Sequence, residues 1–381
     1  MGKRELLLIV AFVIVGAVVY QATAPPAGPN ERRFSLSKIV DHLRREMRGN
    51  RARAEETKVI PLEITATTTE IRVAGFFVEL SVTGENRAGV EARFHVSSNG
   101  YDEAEAKSLV GQTQLIVDRA GPVLRLTSKY PQGGRQEGRL TLLVPARLVA
   151  RIDQGSPRTS ILNLAGVEMP NLRGETSIKH ISGRVTLTHR AGRLLIEDVA
   201  TLKLTTRGSD VTVTNVKADA SFAVQSGELT ATSLGGPIDV ESQSSSVTLR
   251  KLEDARGPLR VNAVGGSITL DGLAGDARID GRNAEIDITM AKAATIAVYS
   301  EGDEPIQLTP PPGGFTLDAV VSHGRLALPE GFDPRVTVAA AENDSEQRAN
   351  GAVRGGGPTI TLRANRGDIR IRPREVKTSQ R

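Results

Sequence analysis

Cysteine and tryptophan are both absent from the 381-residue chain. Without cysteine there can be no disulfide, no thiolate zinc site and no lipidated N-terminal cysteine. Without tryptophan, and with only 8 Phe and 4 Tyr, any core is thin and filled by Val, Ile and Leu. Platforms for stacking nucleic-acid bases are nearly missing too. An excess of charge is missing from most of the chain as well. The net +5 sits at the N-terminal end, where residues 31–58 hold nine Lys/Arg against five Asp/Glu and residues 1–30 add one more positive charge. The other 323 residues are neutral overall. With no basic stripe in the body of the chain, nucleic acid is not an expected partner.

Reactive motifs are missing in the same way. There is no GxSxG, no GxxxxGK followed by Ser or Thr, and no GxGxxG opening a helix. The five histidines, His42, His95, His180, His189 and His323, show neither HxH nor HxxxH spacing, so they read as ordinary surface residues before metal ligands. His180 and His189 are the one pair that could approach each other across adjacent repeats. Asp271, Asp276, Asp280 and Asp287 fall in or near turns of one region, but the glycine-rich nonapeptide that supplies calcium ligands in β-rolls is missing. Arg366-Gly367-Asp368 spells a cell-attachment tripeptide, and a turn before a final strand explains it without a receptor. No catalytic residue, metal or cofactor is expected.

What is present begins with LLLIVAFVIVGAVVYQATA, residues 6–24, about the ~20 residues needed to cross a bilayer as a helix. Ala22-Thr23-Ala24 has the form of a signal-peptidase site. Pro25 would then open the mature chain, where its ring fits the peptidase poorly, so the reading is an uncleaved signal anchor, residues 1–24 with the short basic head. A Pro-rich exit and a basic amphipathic helix fill residues 25–58. Leu36, Ile39, Val40, Leu43 and Met47 form its apolar stripe, and residues 32–53 could touch anionic lipid, form a stalk or cap the next domain. The expected place is the inner membrane with the bulk of the chain extracytoplasmic. Arg32, Arg33, Lys38 and Arg44 outnumber Lys3 and Arg4 around the span, which by the positive-inside rule points the other way.

From Val59 the apolar period changes from 3.6 to 2. Residues 59–156 read as an antiparallel β lead-in with one helix-like interruption, YDEAEAKSLV, and a hairpin tip at KYPQGGRQEGR. Over residues 157–300 an apolar phrase in i, i+2, i+5 spacing recurs, starting at Thr159, Thr176, Leu194, Val211, Leu229, Val247, Ile268 and Ile286. Second short strands such as Phe222/Val224 and Ile238/Val240 lie between most of these starts. Two strands and two turns in ~18 residues make one coil of a β-solenoid, with coils stacked at ~4.8 Å. The outward position reads Ser160, Ser177, Leu195, Thr212, Thr230, Thr248, Thr269, Asp287, a threonine ladder that β-branched stacking explains. The second strand's outward residues, Lys203, Ala223, Asp239, Arg260, Arg278 and Ala297, form no matching flat face. Residues 301–373 read as a C-terminal β region and cap, followed by a basic tail at 374–381.

The segments GRVTLTHRAGRLLIEDV, GSDVTVTNV, GGSITLDGLAG and the ending GGGPTITLRANRGDIRIRP resemble the bacterial putative-adhesin family of unknown function, also called toastrack-like, from about residue 60 to 373. The resemblance implies a membrane-anchored envelope protein, adhesin-like or tied to envelope stress, with no known catalytic residues. Its partner would be an envelope protein or a glycan. The alternative is a carbohydrate-binding or carbohydrate-active β-helix. Such sites need paired carboxylates and aromatic platforms, and residues 157–300 hold only Phe222 and Tyr299.

Overall fold

The structure, a computed structural model, describes Gly16 and residues 52–132, 135–340 and 345–374. Apart from Gly16, the apolar segment 6–24 lies outside the described residues, as do residues 25–51. Among the described residues no helix is long and apolar enough to cross a membrane. Strand accounts for 67% and helix for 4%, which makes the fold all-β. The chain divides into a small unit, Met1–Glu55 with Ser97–Gln112 and Gln132–Gln136, and a large unit holding the rest.

The small unit contains the helix Glu103–Gln112 at the place the sequence predicts. The Asp102 carboxylate accepts the Glu105 backbone N–H at 2.8 Å and so caps the first turn. Glu105 in turn accepts the Tyr101 backbone N–H at 2.6 Å.

The large unit is built on two parallel ladders. The first passes in spatial order through Val123–Lys129, Glu70–Val73, Val149–Ile152, Gly166–Leu172 and Glu175–Val216. It continues through Ala220–Gln225, Ile238–Arg250, Leu259–Leu273, Ala277–Arg282 and Ile296–Gly302. In the second ladder Leu80 pairs with Thr159 and Thr159 with Thr176. Beyond them Val211 pairs with Leu229, Leu229 with Val247, Val247 with Ile268, and Ile268 with Ile286. The repeated phrase therefore lies in register with itself.

Each phrase buries its first and second apolar residues, Val211 and Val213, Leu229 and Ala231, Val247 and Leu249, and its third, Val216, Leu234 or Leu252. The i+5 position of that third residue has a backbone cause. At i+4 the chain turns through the left-handed region, at Asn163, His180, Asp198, Asn215, Ser233 and Lys251. Asn, Asp and His are the non-glycine residues that enter this region most readily. One left-handed residue swings the strand so that i+5, not i+4, faces inward. A second column of left-handed residues at i−3, Gly208, Ser226, Ser244, Gly265 and Asn283, makes the other corner. The long step from Val247 to Ile268 accommodates a 3₁₀ turn at Leu252–Asp254, which packs its extra residues outside the ladders while Leu252 stays buried.

Three expectations are corrected. Residues 59–156 are not an antiparallel lead-in. Glu70–Val73 pairs in parallel with Val123–Lys129 and Val149–Ile152, and Glu79–Glu85 in parallel with Arg135–Pro145 and Arg158–Leu162. Gln114–Ala120 with Val123–Lys129 is an antiparallel hairpin. KYPQGGRQEGR is not a hairpin tip, because the strands on either side of it join different ladders. Residues 52–58 belong to a strand, Ala52–Leu62, and not to the amphipathic helix. The C-terminal strands, for which the sequence suggested no order, do not follow one another in space. Thr359–Arg366 inserts between Ile296–Gly302 and Phe315–Ser322, parallel to both, and Ile369–Ile371 inserts between Ile306–Thr309 and Leu326–Ala327. At the other end, Glu70–Val73 is likewise inserted between two later strands.

Candidate binding face

The sequence-flagged groups do not converge. His42 lies outside the described residues. His180 sits at the i+4 corner, where its Nδ1 is 3.0 Å from Asp198 Oδ2 and the Asn215 amide donates to the other carboxylate oxygen. His189 is fully buried elsewhere, with Nδ1 2.9 Å from Ser209 Oγ and Nε2 3.1 Å from the Gly174 carbonyl. His95 Nδ1 is 3.0 Å from Thr57 Oγ1. The four aspartates are dispersed as well: Asp276 accepts the Thr295 N–H, Asp280 pairs with Arg278 and Asp287 with Arg372. Among the described residues no group of three or more potential ligands could hold a metal. In the Arg366-Gly367-Asp368 tripeptide, Asp368 accepts from Arg370 and from the Arg325 backbone, which holds its carboxyl below the usual range. It ties the start of the last strand to the backbone at Arg325.

His189 makes one of these arrangements sensitive to pH. Burial lowers its pKa, partly opposed by the Gly174 carbonyl. In the unfolded chain a histidine titrates near ~6.5. Above that pH both states are neutral and the folded state is not penalised. As pH falls through ~6.5 the unfolded state takes up a proton that the buried ring refuses, so stability declines down to the folded-state pKa. The melting temperature is expected to be lower at pH 5.5 than at 7.5, and His189→Gln is expected to remove that part of the dependence. An unchanged slope in the variant would refute the assignment. Asp333, held far below the usual carboxylate range mainly by Arg335, loses its contribution only below ~4.

Outward side chains of the first ladder form a continuous face. The paired column runs Thr205, Ala223, Glu241, Asn262, Asp280, Tyr299, Arg363. Ala223, expected beside Lys203 and Asp239, belongs to this column; Ser221 stands in the other. Two clefts of about 560 and 580 Å³ lie along this face and share Asn262 and Val264. Val264 and Tyr299 are 49% and 39% exposed and stand among the few large apolar side chains that face outward among the described residues. The Arg278 guanidinium lies 5.1 Å from the Tyr299 ring centroid and pairs with Asp280 at 2.8 Å. Arg282 pairs with Glu301 at 3.1 Å, and Arg363 pairs with Asp318 at 2.5 Å. Beneath the face, the buried hydroxyls of Thr206, Ser242 and Ser300 have no hydrogen-bond partner among the described residues. On the second ladder, Thr212, Thr230, Thr248 and Thr269 form the expected outward column.

No family model and no curated protein matches the chain. Solved structures similar to it are bacterial. One is a putative cell adhesion protein from Clostridium sporogenes, with 11% identity over 85% of this chain and 100% of that one and a TM-score of 0.23. A second is a putative adhesin from Parabacteroides merdae, with 8% identity over 67% and 96% and a TM-score of 0.37. A third is a putative lipid binding protein from Parabacteroides distasonis, with 15% identity over 67% and 97% and a TM-score of 0.32. By name, the first two are adhesin-type and the third lipid-binding.

Proposed function

We propose that the chain is a non-catalytic module of the bacterial cell envelope: a β-solenoid, its two ladders forming the walls, held outside the cytoplasm by a signal anchor at residues 6–24 and presenting its polar outer faces to an envelope partner. The adhesin-like or scaffold role is the leading one; an envelope-stress role fits the same design. The observation that carries the reading is the state of the outer-face charges. Arg278–Asp280, Arg282–Glu301 and Arg363–Asp318 are paired with one another along or across strands. Such pairs keep a regular face rigid and polar, which suits recognition.

Protease added to spheroplasts is expected to degrade residues 52–374 while cytoplasmic markers stay intact. In parallel, the detergent-purified full chain is expected to co-sediment with isolated envelope fragments and to release no product from polysaccharide or ester substrates. A domain protected until lysis would reverse the topology. Product release that disappears in Asp280→Asn would make the chain an enzyme.

A further inference from the structure

We infer that the double cleft on the first ladder is a groove for a neutral, linear glycan lying along the stacking direction. This inference rests on the non-catalytic binding reading above. The two clefts meet at their shared lining residues Asn262 and Val264, and together they cross successive strands from the Glu175–Val216 segment to Thr359–Arg366. Their chemical period is therefore the spacing between neighbouring strands, ~4.8 Å, close to the rise per ring in an extended β-linked hexose chain. One ring can thus meet each coil in turn.

The lining suits a chain of hydroxyls. Gln243, Asn262, Asp280, Arg282, Glu301 and Asn365 offer planar amides, carboxylates and a guanidinium, groups that donate to or accept from vicinal hydroxyls in pairs. The Arg282–Glu301 pair fixes part of this pattern in advance, and so limits the ordering cost of binding. Val264 and Tyr299 supply apolar contact for the C–H face of a ring, and Arg278 holds the tyrosine in place. Four arginines and three carboxylates line the two clefts, so a polyanion gains little from them. An extended peptide is the poorer fit. It binds sheets by adding a strand to an edge, and along this face the backbone groups are already committed to neighbouring strands.

The test is calorimetric titration of the full chain in detergent with four probes: β-1,4-linked hexaglucose, β-1,4-linked hexa-N-acetylglucosamine, a heparin hexasaccharide and a Ser/Thr-rich decapeptide. Saturable binding of at least one of the two neutral hexasaccharides is expected. It should weaken roughly tenfold in Tyr299→Ala, weaken further in Val264→Asp, survive in Tyr299→Phe, and be unchanged in Thr230→Ala on the other ladder. All four substitutions are at outward positions, and the comparison uses variants that keep the wild-type melting temperature. Equal affinity in wild type and Tyr299→Ala overturns the inference. So does preference for heparin or the peptide, or no saturable binding of either neutral probe. If the hexasaccharides fail while co-sedimentation with envelope fragments persists, the glycan assignment falls and the binding role stands. If both fail, the binding role falls too.

Discussion

Deletion of residues 359–381 is expected to leave no soluble, cooperatively folding protein, although it removes only the end of the chain. Thr359–Arg366 is an interior strand: Ile360 pairs with Ile296 on one side and with Leu317 on the other. Ile369–Ile371 has the same position in the second ladder, between Ile306–Thr309 and Leu326–Ala327. Its removal opens both ladders at once and leaves Phe315–Ser322, with its antiparallel partner Glu346–Val353, without attachment to the stack through these strands. Ile360, Leu362, Ile369 and Ile371 are buried. At ~1.5–3 kcal/mol per buried aliphatic side chain their loss is worth roughly 6–12 kcal/mol, the scale of the whole stability of an ordinary domain. In a repeat stack built strictly in chain order, the same deletion would only shorten the array and lower stability by one repeat and its interface. Solubility and thermal melting by circular dichroism separate the two cases. A chain ending at Arg374 keeps every described strand and is the control. A soluble 1–358 fragment melting within a few degrees of the intact chain would sink the interleaved arrangement.

This interleaving was not legible in the sequence, and the reason is physical. Alternation of apolar and polar residues reports which face of a strand is buried, not which strand lies beside it or in which direction. EIRV and ELSVTGE carry the same period as VTVTNV, and short strands separated by turn residues were accordingly read as antiparallel. Pairing Glu79 with Arg139 in parallel means closing a loop of some sixty residues, at an entropy cost that grows only logarithmically with length. No local pattern marks such a step. Between Thr159 and Ile286 the outcome differs because the repeat is itself the register: identical phrases placed side by side predict parallel pairing, and the pairing is observed.

The corners and the groove lie between these two cases. Asn163, Asp198, Asn215, Ser233 and Gly272 recur four residues after the phrase starts. A column of left-handed formers was therefore available as the explanation of the i+5 spacing. Tyr299 was legible only as an isolated ring. Its exposure beside Val264, and its place in one column with Asn262 and Asp280, require the true register of the second strands. In the sequence alone, listing Ala223 in place of Ser221 broke the column apart.

Val213→Asp is expected to be as damaging as the deletion, through a single side chain. Val213 is fully buried, and its ladder partner is Ala231. The same inward column continues through Leu249, Leu270, Ile288 and Leu308. A carboxylate introduced there has no cation to meet on its own column and no route to water. Whether it stays charged or takes up a proton, the cost is several kcal/mol, within the range that unfolds marginal proteins. Thr212→Asp is the matched control. Thr212 is exposed on the adjacent outward column beside Thr230, and replacing one member of that β-branched pair should cost less than ~1 kcal/mol. Val213→Ala, which adds no charge and leaves only a small void, should fall between them and remain soluble. Melting curves of the three variants give the order. If Val213→Asp is soluble and melts with the wild type, or if Thr212→Asp is the more damaging of the two, then the inward and outward faces have been assigned the wrong way round, and the groove on the first ladder loses the register that defines it.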